Sequence, residues 1–80
     1  MSKWILYILK CSDGSLYTGI TTDLAKRIKC HREGKASKYT RTKRPIKLVY
    51  DKYVGSESSA RKEEARIKSL PRRAKLAIIK

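Results

Sequence analysis

Trp4-Ile5-Leu6-Tyr7-Ile8-Leu9 is apolar at six successive positions, Cys11-Ser12-Asp13-Gly14-Ser15 carries turn chemistry, and Leu16-Tyr17-Thr18-Gly19-Ile20 is largely apolar again. A run that is apolar on both alternating faces suits a strand covered on each side, so residues 4–9 are the expected central strand. Asp-Gly readily takes the positive φ angles of hairpin turns, which makes Leu16 to Ile20 the expected antiparallel partner. A strict two-residue turn at Asp13-Gly14 pairs Tyr17 with Lys10 and puts Tyr7 and Tyr17 on opposite faces. A three-residue loop or a bulge brings the two phenols to one face. A site that uses both tyrosines therefore requires an irregular turn or strand.

Working outward, Thr22 or Asp23 can cap a helix that runs to about Glu33, with Gly34 as its stop. Leu24 and Ile28 form its apolar stripe, His31 sits at the edge of that stripe, and Arg27 lies one step further round. Residues 34–45 contain Lys35, Lys38, Arg41, Lys43 and Arg44, no acid and one aromatic, Tyr39. They read as a mobile basic loop. Ile46 to Val54 is the expected third strand, bounded by Pro45 and Gly55. A helix starting between Ser56 and Ser59 and ending near Ser69 follows, and Pro71 suits the first turn of a last helix ending in Ala77-Ile78-Ile79. The expected fold class is α+β, a three-stranded antiparallel sheet flanked by helices in the order β-β-α-β-α-α. Residues 1–80 read as a single domain.

Twenty-one Lys and Arg against 7 Asp and Glu give a net charge of +14, far beyond what solubility needs. Such an excess points to a polyanionic partner, nucleic acid before an acidic membrane surface. A membrane-surface helix pairs a basic face with a wide Trp/Phe/Leu face, and no stretch here does so. The six-residue apolar run is too short for a signal-peptide core or a membrane span, so a cytoplasmic location is expected. Cys11 and Cys30 are the only cysteines and His31 the only histidine, too few for a four-ligand zinc site or a disulfide scaffold.

Each candidate for chemistry has a plainer reading beside it. Strand tyrosines such as Tyr7 and Tyr17 usually contribute a ring to packing. Gly19 strengthens the functional reading, because a missing side chain lets a ligand approach the backbone. Arg27 is one cation among many, yet a guanidinium at the edge of an amphipathic helix suits a phosphate whose charge grows in a transition state. His31 on an apolar edge is more often a satisfied structural histidine than a base. In the helix that follows Gly55, Ala60 and Ile67 mark the buried stripe, with Glu64 about 40° from Ala60 and Glu63 on the other flank. A carboxylate at a buried edge must be paired or hold a cation. Lys68 at i+4 is the plain partner for Glu64 and a divalent metal the sharper one. Helical geometry does not choose between the two glutamates.

Taken in order, Ile5-Leu6-Tyr7, nine residues, Tyr17-Thr18-Gly19, Arg27 eight positions after the glycine, His31 and a late helical Glu64 resemble the GIY-YIG nuclease superfamily. The likeness is strongest to its small stand-alone bacterial members and covers nearly the whole chain. The departures are Ile5-Leu6 before the first tyrosine, Thr18 in the second signature, and Ile20 where some DNA-repair members carry lysine. The resemblance implies metal-dependent cleavage of DNA phosphodiester bonds with Mg2+ or Mn2+. Tyr7 would act as, or help to position, the general base, and Tyr17 would orient the nucleophile or the phosphate. Arg27 would steady transition-state charge, Glu64 would hold the metal, and His31 would stand near the scissile phosphate.

Gly19, Lys35, Lys38, Arg41, Lys43 and Arg44 are the expected nucleic-acid contacts. The expected partner is DNA, in branched, nicked or single-stranded form and in a repair or recombination setting, with RNA as the other nucleic acid to test. No membrane partner and no small-molecule cofactor is expected. The alternative is a nucleic-acid-binding module whose active site has drifted.

Overall fold

The computed structural model describes residues 3–79. The elements are β1 (Trp4–Lys10), β2 (Leu16–Thr21), α1 (Leu24–Arg32), α2 (Lys38–Arg41), β3 (Lys47–Gly55), α3 (Glu57–Lys68) and α4 (Arg72–Ile79). The sheet order is β2-β1-β3, antiparallel throughout. β1 is central, which is why it is apolar on both faces. Its four central side chains are essentially removed from water: Leu6, Ile8 and Leu9 at 0% exposure and Tyr7 at 1%. Tyr7, Leu9 and Cys11 pack with Ile28 of α1, Ile46 and the flanking Tyr17, Leu24 and Leu48. Leu6 and Ile8 pack on the opposite face with Ile67 of α3, flanked by Ile78 and Ile79 of α4. Full burial of such side chains contributes about 1.5–3 kcal/mol each, so β1 anchors both halves of a small core.

The turn between β1 and β2 decides which side chains share a face. Cys11 N donates to Ser15 O at 2.9 Å, and Gly14 N donates to Cys11 O at 2.9 Å. The loop proper is thus Ser12-Asp13-Gly14, with Gly14 at φ 85°. Three loop residues pair Tyr17 with Leu9 and Gly19 with Tyr7, so both phenols lie on the α1 face. The irregular turn that a shared tyrosine site requires is present. Asp13 Oδ1 braces the loop by accepting from Ser15 N at 3.0 Å and Ser15 Oγ at 2.6 Å. These hydrogen bonds, helped by Lys43 Nζ 3.2 Å from Oδ2, lower the Asp13 pKa to about 2.

Helix starts follow the expected caps: Asp23 Oδ1 accepts from Lys26 N at 3.1 Å, and Ser56 Oγ from Ser59 N at 3.1 Å. The 34–45 segment departs from the expectation of a mobile loop. It contains the short helix α2, capped by Ser37, whose Oγ accepts from Tyr39 N at 3.1 Å. The observed order therefore has one more helix than expected, between α1 and β3. Thr40 is fully buried, and Arg44 donates to the carbonyls of Arg32 (3.3 Å) and Arg41 (3.1 Å). One helical turn offers no periodic signal in sequence, and its order comes from these tertiary bonds. Cys11 and Cys30 are free thiols, and no described helix is long and apolar enough to cross a membrane.

A Cβ at Gly14 would meet nothing nearer than the Arg72 guanidinium at 4.0 Å, so substitution there acts on the backbone alone. Gly14→Ala is expected to cost about 1–2 kcal/mol in urea unfolding, and Gly14→Asn clearly less, because Asn tolerates the left-handed region. Equal stability of all three chains would show that the loop does not hold this conformation.

Candidate active site

Tyr7 is paired across the ladder with Gly19, and its ring occupies the space a side chain there would need. A Cβ on Gly19 would lie 2.5 Å from Tyr7 Oη and 2.6 Å from Cζ. The room expected for an approaching ligand is thus filled by the phenol itself. The ring ends at α1, where Tyr7 Oη lies 2.9 Å from His31 Nε2. On the other side of the imidazole, Nδ1 lies 2.8 Å from Thr40 Oγ1 of α2. His31 is 0% exposed and both ring nitrogens are engaged, so it is a satisfied core histidine that also touches the first tyrosine. Tyr17 stands edge-on to the same imidazole at 5.2 Å and stacks on Tyr39 at 5.8 Å, while Lys43 Nζ caps the Tyr39 ring at 4.0 Å.

Burial pushes the Tyr7 phenol above the usual tyrosine range, opposed mainly by a hydrogen bond from the Arg27 guanidinium. The same hydrogen bond raises the Arg27 pKa. Burial, and then the Arg27 charge, pushes the His31 imidazole down. The resting site therefore holds a neutral phenol, a neutral imidazole and a guanidinium. Arg27 Nε is buried without a hydrogen-bond partner among the described residues, a donor left facing no acceptor.

These groups open onto a cavity of about 290 Å³ at the outer edge of β2. Tyr7, Tyr17, Gly19 and Arg27 line it from the α1 side, and Glu64 and Arg61 of α3 reach it from the other. The choice that helical geometry left open is thereby made. Glu63 turns away to Lys52 (3.0 Å) and Arg66 (2.6 Å), whose hydrogen bonds, Arg66 first, hold its pKa at about 2. Glu64 faces the cavity and also keeps its plain partner, Lys68 Nζ at 3.1 Å from Oε2. A larger concavity of about 510 Å³ on α4, between Arg72, Arg73, Leu76 and Ala77, carries no acid–base pair.

Among the described residues no three His, Cys, Asp or Glu side chains converge on a metal position. One carboxylate beside phenols and an open cavity fits a hard cation that keeps most of its water and takes further oxygens from a phosphate, as magnesium does. It does not fit zinc. Glu64 is the side chain that would hold such an ion.

Of the expected grip residues, Lys43 is tied to Asp13 and Tyr39, Arg44 to backbone carbonyls, and Lys35 to Glu33 at 3.8 Å. Lys38 and Arg41 project from α2 as exposed cations. Sequence reasoning missed Thr40 and Arg61. Nothing local marks either, since one acts through a one-turn helix and the other through the approach of α3 to β2.

Gly19→Ala must displace the Tyr7 ring within a filled core, and a loss of about 1–3 kcal/mol in urea unfolding is expected. A second expectation concerns pH. Above about 6.5 His31 is neutral folded and unfolded alike; below it the unfolded chain takes up a proton that the folded chain resists. Stability should therefore fall from pH 7 to pH 5, by at most about 1.4 kcal/mol per pH unit from one group. His31→Gln should flatten that slope, because the chain has no other histidine. An unchanged slope in the variant would assign the effect elsewhere.

The family model described as the GIY-YIG catalytic domain matches residues 3–77. The UPF0213 protein SH2523 of Staphylococcus haemolyticus is 48% identical over 79 residues, covering 99% of this chain and 96% of that protein. The UPF0213 protein SAG0778 of Streptococcus agalactiae is 48% identical over 75 residues, covering 94% and 85%. The solution structure of the UPF0213 protein BH0048 from Bacillus halodurans is similar with a TM-score of 0.62 and 44% identity, over 99% of this chain and 83% of that one. That of EF2693 from E. faecalis has a TM-score of 0.62 and 36% identity, over 94% and 79%. With a family match over nearly its full length and relatives this similar, the chain belongs to the GIY-YIG catalytic domain family, alongside the small UPF0213 proteins.

Proposed function

We propose that this chain is a cytoplasmic endonuclease that works as a single domain and hydrolyses DNA phosphodiester bonds with Mg2+ or Mn2+. Membership in a nuclease family supports a nuclease-type function, and divalent metals are general in that family. The observation that carries the reading is the gathering of Tyr7, Tyr17, Arg27 and Glu64 around one cavity, with His31 bonded to Tyr7.

The residues divide the work by chemistry. Arg27 offers its fork, including the buried Nε that has no acceptor, to the oxygens of the scissile phosphate, where charge grows in the transition state. Tyr17 orients the phosphate or the attacking water from the cavity wall. Tyr7 accepts the proton of that water as its own phenol proton passes along the 2.9 Å hydrogen bond to His31 Nε2. This relay answers a physical difficulty: a buried phenol is protonated at neutral pH and is a poor base without a proton acceptor behind it. Glu64 holds the metal, which when bound polarises the phosphate and stabilises the leaving oxygen. Lys35, Lys38, Arg41, Lys43 and Arg44 present positive charge to the flanking backbone, and the surplus charge of +14 favours a polyanion.

Labelled single-stranded, duplex, nicked and branched DNA and a matched RNA, each with magnesium, manganese or EDTA, test the reading. Metal-dependent cleavage is expected, reduced about 100-fold or more in Tyr7→Phe, Arg27→Ala and Glu64→Gln while binding persists. Binding without cleavage by the parent chain would overturn the nuclease reading in favour of a binding module. Changing Lys38 and Arg41 together to Ala should lower the slope of log affinity against log salt by about 1.4–1.8, two phosphate contacts' worth. An unchanged slope would remove α2 from the interface.

A further inference from the structure

Thr40 has no part in the chemistry above, yet its hydroxyl is completely buried and lies 2.8 Å from His31 Nδ1. A threonine hydroxyl has one proton to give and lone pairs to receive with, so its acceptor determines what it does to the imidazole. The carbonyl of Ser37, the residue that caps α2, lies 3.4 Å from Thr40 Oγ1 and can take that proton. Thr40 then accepts from His31, which must carry its own proton on Nδ1. Nε2 is left as a bare lone pair facing the Tyr7 phenol.

The opposite arrangement satisfies fewer of these groups within the protein. With the proton on Nε2, His31 donates to the Tyr7 oxygen. The phenol proton then has no protein acceptor and must turn to the cavity that Tyr7 lines. The Nδ1–H arrangement gives every buried proton in the chain Tyr7–His31–Thr40–Ser37 an acceptor, as buried polar groups require.

We propose that Thr40 is a positioning residue that locks His31 in the Nδ1–H tautomer and so keeps Nε2 open to the Tyr7 proton. The catalytic consequence rests on the nuclease reading; the tautomer does not. Thr40 belongs to α2, the helix that also carries Lys38 and Arg41, so the element that presents charge to a bound strand also sets the proton relay behind the phenol.

The test reads the tautomer directly in the 15N-labelled full chain, by long-range 1H–15N correlation of its single histidine ring at pH 7.5. The parent chain should show a protonated Nδ1 and a bare Nε2. Thr40→Val removes the acceptor with little change in shape, and the proton should move to Nε2. Thr40→Ser restores a hydroxyl and should return it to Nδ1. Cleavage should fall about 10- to 100-fold in Thr40→Val and recover in Thr40→Ser. A proton on Nε2 in the parent chain, or one that stays on Nδ1 in a folded Thr40→Val, overturns the proposal. If Thr40→Val does not fold, the parent spectrum and Thr40→Ser still decide it. A parent chain that does not cut any substrate would overturn the nuclease reading while the ring spectrum judged Thr40 independently. A reversed tautomer with undiminished cleavage would overturn the catalytic role assigned here.

Discussion

One residue in the loop between β1 and β2 governs the arrangement of the site. Side chains alternate along a strand, so a hairpin one residue shorter would send Tyr17 to the α3 face and separate it from Tyr7. The three-residue loop prevents this, and several contacts hold it. Gly14 supplies the left-handed turn, Asp13 the internal braces, and Lys43 ties both its carbonyl and its ammonium to the loop from the segment after α2. The same register sets Gly19 opposite Tyr7, which lets the ring lie flat enough to reach His31. The hydrogen bond between them is thus a product of loop length as much as of residue choice.

A domain of this size has too little interior to separate its core from its chemistry. Tyr7 and His31 are among its largest fully buried side chains and also the polar centre of the candidate site. Their burial has an electrostatic cost: the phenol resists ionisation and the imidazole resists protonation. In the proposed mechanism, the hydrogen bond between them would offer a proton the path that burial denies each group singly. The plain and the functional readings of His31 are therefore compatible. The residue is satisfied because it is bonded to the groups that would use it.

The basic surface is likewise less uniform than a count of charges implies. Lys43 and Arg44 stabilise the fold around α2, whereas Lys38 and Arg41 extend from it. The aromatic series His31, Tyr17, Tyr39, covered at its outer end by Lys43, runs from the buried Tyr7–His31 pair to this surface. The proposed grip and the proposed relay would thus meet in a helix of one turn.

Much of this was legible in the sequence, because the signals were local. Alternation and length identified β1 as the central strand, Asp-Gly marked the turn, and Asp23 and Ser56 announced their helices by capping chemistry. The ordered tyrosines, arginine and glutamate pointed to the family. Three matters waited for tertiary structure. Whether the loop had two residues or three depended on hydrogen bonds across it, since Asp-Gly serves either form. Which glutamate faced the phenols depended on how α3 meets the edge of β2, because helical periodicity places Glu63 and Glu64 almost symmetrically about the buried stripe. The order of α2, and with it Thr40, arose only from tertiary contacts, the burial of Thr40 against His31 and the Arg44 bonds to carbonyls among them, since a single turn of helix has no stability or sequence period of its own.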